Sequence, residues 1–143
     1  MTSIRRKYLL WGAGIFIFLL AVSTQGFAAL DTSSGPVICA FTKGFECDNK
    51  GGCQETSPDS IGLPAFIELD MANNKVTTAA GQQTGERRET AIKTLQEEDN
   101  KIILQGIERR GWNAVIDKVT GHMTVAASSD REAIVFFGRC TTP

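Results

Sequence analysis

Few residues in this chain have side chains that could do chemistry, and their spacing narrows the choices. Four cysteines, Cys39, Cys47, Cys53 and Cys140, are separated by seven, five and 86 residues. No zinc-ligand pattern has those intervals, so a site of three thiolates with His122 has no support in spacing, and no C-x-x-C pair is present for redox exchange. An even count in an exported chain reads instead as two disulfides. His122 is the only histidine. As a general base it would need a nucleophile and an orienting acid. Asp117 lies across the neighbouring turn, but no serine has a nucleophile's context, and the bland reading is an exposed turn histidine. Glu68 with Asp70 and the run Glu97-Glu98-Asp99 are paired carboxylates that read as solvated surface rather than as a glycosidase pair with one desolvated acid. Asp48-Asn49-Lys50-Gly51 lacks the ligand spacing and closing glutamate of a calcium loop. Neither a phosphate loop nor a dinucleotide fingerprint occurs, so no cofactor and no metal are expected.

The concentrated cations are Arg87-Arg88 and Arg109-Arg110. Brought to the same end of a fold, they would make an anion-binding or partner-binding rim. Glu86, Glu89 and Glu108 flank them, which favours a solvated, neutralised rim. Trp112 begins an apolar face and reads as a core plug.

The amino terminus reads as an address. Arg5, Arg6 and Lys7 are the only charges in residues 1–28, which hold 17 apolar residues, and Leu9–Val22 is a continuous apolar run of 14. That is short of the about 20 residues needed to span a bilayer. Gly26 and Ala28 suit the −3 and −1 places of a cleavage site, so residues 1–28 are expected to be a secretory signal peptide. Arg5-Arg6 loosely resembles a twin-arginine signal, with general secretion favoured. Removal leaves 115 residues with 12 basic and 16 acidic side chains. One modest domain, 29–143, is expected, periplasmic or secreted, with no membrane span and no electrostatic reason to bind nucleic acid.

Along that domain the apolar residues alternate. Ile67, Leu69 and Met71 share a face, as do Trp112, Ala114 and Ile116, and Met123 and Val125. Turn residues separate the runs at about ten-residue intervals, the signature of an antiparallel meander. Lys43-Gly44 is expected to end the first strand, 54–64 to be loop, and 81–89 to be a mobile loop. Residues 86–98 hold good helix formers, but their apolar stripe is too narrow to dock, so a strand around 91–95 is favoured. Eight or nine strands in this length predict an all-β fold, a small up-and-down barrel or a sandwich. In a closed barrel the first and last strands adjoin. This favours Cys39–Cys140 as a latch and Cys47–Cys53 as a pin on the turn between them, against the rival pairing Cys39–Cys47 with Cys53–Cys140.

The runs VICAFT (37–42), ECDNKGGC (46–53), LPAFIELD (63–70), WNAVIDKVTG (112–121) and FFGRCT (136–141) give a chain that resembles small exported proteobacterial proteins of unknown function. That resemblance carries no assigned activity and no functional residue. The expected function is a non-enzymatic domain that binds an envelope protein or a small ligand. A structural or stress-related envelope component is the alternative, and a small hydrolase the third.

Overall fold

The alternating runs close on one another in the computed structural model of the chain, which describes residues 29–33, 35–81 and 87–143. Nine strands follow in order: β1 (Val37–Asp48), β2 (Cys53–Thr56), β3 (Phe66–Asp70), β4 (Lys75–Thr78), β5 (Glu89–Glu98), β6 (Lys101–Glu108), β7 (Arg110–Asp117), β8 (His122–Ser128) and β9 (Glu132–Thr141). Every pairing is antiparallel, and β1 meets β9. Eight strands thus form a closed barrel, and β2 adds a ninth beside the second half of β1, whose first half pairs with β3. Closure pairs both sides of the eight barrel strands and leaves the short β2, four residues long, as the open edge among the described residues. Of the two expected architectures the barrel is the one formed. The predicted signal peptide, 1–28, lies outside the described residues, as do 82–86 of the expected mobile loop. Among the described residues no helix is long and apolar enough to cross a membrane.

Two expectations need correction. Lys43-Gly44 is not a turn: β1 runs on through it, and the register against β9 shifts between Phe41 and Lys43. The extra residue, Thr42, bonds its hydroxyl to the Phe137 carbonyl at 3.1 Å. Before this bulge Val37, Cys39 and Phe41 face inward; after it the inward position passes to Gly44, opposite Phe136. Without the insertion Lys43 would point into the barrel. Likewise 54–64 is not all loop, because its first residues belong to β2, held against β1 by the ladder and by Cys47–Cys53.

Residues 89–98 form a strand, with the half-buried Leu95 opposite Leu104 and the buried Ile92 opposite Gly106. A register shift at Lys93 separates those two inward positions by three residues. That spacing is why this segment looked half helical.

The disulfides join Cys39 to Cys140 and Cys47 to Cys53. Each links residues directly opposite on neighbouring strands. The first closes the seam where the chain's first and last strands meet. Two disulfides are consistent with an oxidising, extracytoplasmic location.

One end of the barrel is solid. Val37, Ile102 and Ile116 have no exposed surface there, and the Cys39–Cys140 bridge and Ile92 pack beside them. Leu30, from the segment before β1, is buried among them, with its backbone N–H donating to the Lys118 carbonyl at 2.7 Å. The other end is different.

Candidate functional site

At the end carrying the β6–β7 and β8–β9 turns, the barrel encloses a cavity of about 290 Å³. Leu69, Leu104, Ala114 and Met123 belong both to the packed core and to its lining, so they make its floor. Its walls are mostly apolar, with Phe41, Ile67, Val76, Val125, Ile134 and Phe136, and Thr77, Thr78 and Thr90 complete them. Eight-stranded barrels are just wide enough either to be filled by side chains or to hold one small ligand. Here two glycines decide the outcome. A Cβ on Gly44 would lie 2.1 Å from the Phe136 ring, and one on Gly106 would lie 2.2 Å from the Trp112 ring. Each aromatic ring therefore occupies the space above a strand glycine directly across the ladder. Rings laid against the wall leave the middle of the barrel open.

Trp112 carries a second feature. Its Nε1 is buried with no hydrogen-bond partner among the described residues. An indole N–H can only donate, and leaving it unmet costs about 1–3 kcal/mol. The core plug expected at Trp112 is thus an inward-facing residue, but it lines a cavity rather than filling one.

The mouth is roofed on one side by the segment between β2 and β3. A short 3-10 turn at Asp59–Ile61 folds it back, and Gly62 leaves the turn at φ 70°, a left-handed conformation natural to glycine. Ile61, Leu63 and Pro64 from this segment line the cavity. Arg88 ties it in place: Nη1 donates to the Gly62 carbonyl at 2.7 Å and Nη2 to Glu108 Oε1 at 2.7 Å. Arg110 pairs with Glu132 on the same rim.

All four arginines singled out in the sequence therefore gather at the open end: Arg87 and Arg88 just before β5, Arg109 in the β6–β7 turn and Arg110 as the first residue of β7. They are not equivalent. Arg88 and Arg110 are spent on Glu108 and Glu132, with all four side chains about a third exposed. Arg87 and Arg109 are exposed, and Arg109 lines the cavity. The neutralising carboxylates expected from the sequence include Glu108 but not Glu89, which pairs with Lys75.

The other candidate chemistries are elsewhere. His122 lies at the opposite end, exposed, with Nε2 3.0 Å from the guanidinium of Arg139. Asp117 does not orient it. The Asp117 carboxylate accepts from Lys101 and from the Val119 and Thr120 backbone N–H groups. The Lys101 bond first, then the Thr120 N–H, hold its pKa well below the ordinary carboxylate range. Asp70 is also lowered, chiefly by the Asn73 side-chain amide and then the Asn73 N–H, as it closes the β3–β4 turn. Asp48 caps its own turn through the Lys50 and Gly52 N–H groups. Among the described residues no three His, Cys, Asp or Glu side chains group as a metal site.

Sequence reasoning missed the cavity because its lining residues are of the same types as a core. The available signal was the pair of glycines inside strands opposite aromatic residues. No family model, curated protein or solved structure matches this chain.

Proposed function

We propose that this is an exported, non-enzymatic binding domain that takes one small, mostly apolar molecule into the open half of its barrel. The observation that carries the reading is the apolar cavity of about 290 Å³ standing on a fully packed floor. Its volume is near the lower end for small-molecule sites, about 300 Å³ upward. Benzene fills an apolar cavity of about 150 Å³, so there is room here for about a dozen non-hydrogen atoms. The interior favours a small molecule over a protein partner, which could not enter.

A series of 1-alkanols from butanol to tetradecanol, which runs past the capacity of the cavity, tests the reading by titration calorimetry. Each added methylene is worth about 0.8 kcal/mol, or about fourfold in affinity, while it enters the cavity. Affinity should climb with chain length and then level off once the cavity is full. Ala127→Phe, which places a ring in the lining, should abolish the climb. Absence of binding, or a climb with no plateau that survives Ala127→Phe, contradicts the reading and favours an envelope component without a discrete ligand.

A further inference from the structure

Three described non-glycine residues have positive φ: Asn74 at 52°, Asp99 at 50° and Arg109 at 58°. Each sits in a tight turn joining neighbouring strands: Asn74 between β3 and β4, Asp99 between β5 and β6, and Arg109 between β6 and β7. Asn and Asp are the residue types that tolerate a left-handed backbone, because their short polar side chains bond locally. Arginine has no such compensation, and glycine or asparagine would relieve the turn. The two ordinary choices are at the closed end; the exception stands at the mouth and contributes to the cavity lining. A local cost kept at such a place points to a use for the side chain.

The charges around it indicate the use. Glu108 is engaged by Arg88, and Glu132 by Arg110. Glu89, which also lines the mouth, is matched by Lys75, so these three acids are each paired and the exposed Arg109 adds a positive charge beside a mostly apolar interior. Arg87, exposed just before β5, adds to it.

We propose that the ligand is an amphiphilic anion, an acid of medium chain length, with its apolar part inside the barrel and its acidic group on the guanidinium of Arg109. This rests on the cavity being a ligand site and specifies which ligands it takes. A planar guanidinium matches a carboxylate through two parallel hydrogen bonds. The apolar portion can then occupy the walls set by Ile67, Val76 and Val125 without burying a charge.

Octanoate and 1-octanol, equal in chain length and different in charge, separate the two ideas. Titration calorimetry at pH 7 should show octanoate binding about tenfold more tightly than octanol, as for a hydrogen bond to a charged group. The preference should shrink as salt is raised. Arg109→Asn, which suits the left-handed turn, should erase the preference, and Arg109→Lys should restore part of it. Arg139→Asn, at the opposite end, should leave the preference intact, and circular dichroism checks that each variant is folded. Equal affinity for acid and alcohol overturns the anion while leaving the apolar site standing, as does a preference that survives Arg109→Asn. Binding of neither overturns both.

Discussion

Ile102 on β6 and Ile116 on β7 face each other across the ladder with no exposed surface, whereas four residues along the same two strands Gly106 and Trp112 face each other beside an open cavity. The strands, the pairing and the inward alternation are the same in both places. Only side-chain volume and disposition differ. Branched aliphatic residues interdigitate at one end with the seam disulfide and Leu30 among them. At the other end an aromatic ring laid over a glycine covers the wall without reaching the axis. The comparison teaches that a barrel of eight strands is neither inherently filled nor inherently hollow. The solid end carries the stability, and the open end is free to keep space, an unmet N–H and an arginine in a costly backbone conformation.

The division of labour can be broken most forcefully at the seam. Replacing Cys39 and Cys140 together by alanine releases a link across 101 residues and should cost about 4–5 kcal/mol. Replacing Cys47 and Cys53 together, only six residues apart, should cost about 2 kcal/mol. Urea denaturation of the two double variants compares them directly, and equal losses would deny the seam its special place.

Next comes a matched pair of truncations. Ile116→Ala removes fully packed methyl groups and should cost about 3–4 kcal/mol, while Ile67→Ala, half-buried at the cavity wall, should cost about 1 kcal/mol. A void already beside Ile67 means fewer contacts are lost there. Similar losses at both sites would mean that the open half is packed as tightly as the closed one.

Smaller still is the effect of Arg88→Ala on stability, at most about 1 kcal/mol because the rim pair is partly solvated. Its consequence should be kinetic. With the tether to Gly62 gone, octanol should enter and leave faster in stopped-flow measurements, with affinity changed less than either rate.

The least effect is expected at the closed end's surface. Asp117 has a pKa lowered by folding, so its stabilising contribution is complete above the unfolded value of about 3.9 and is lost as pH falls through the folded value. Asp117→Asn should therefore destabilise at pH 7, and the gap from the parent protein should narrow as acid is added below about pH 4. A constant gap in thermal midpoint across that range would contradict the assignment.

Much of the barrel was legible from local alternation. Trp112, Ala114 and Ile116 share one face of 112–117, Met123 and Val125 share one face of 122–127, and 101–107 is an apolar run bounded by turn residues; these became β7, β8 and β6. The favoured cysteine pairing followed from closure, since first and last strands must adjoin. The irregular strands were harder. The bulge at Thr42 depends on which face β9 presents to β1, a long-range fact absent from the local pattern around 37–48. The shift at Lys93 breaks the period of β5 and lends it a helical look. The cavity was least legible, because Ile67, Val125 and Ile134 would read the same in a filled barrel. Whether space remains between them depends on where the rings of Phe136 and Trp112 lie, and that is set by Gly44 and Gly106 across the ladder.

The most direct test of a solid end and a hollow end is methyl NMR of the folded protein under xenon pressure, since xenon enters dry apolar cavities. The methyl signals of Ile61, Ile67, Val76, Val125 and Ile134 should shift with pressure and saturate, while those of Val37, Ile102 and Ile116 stay in place. Saturable shifts of equal size in both groups, or in neither, would contradict the account.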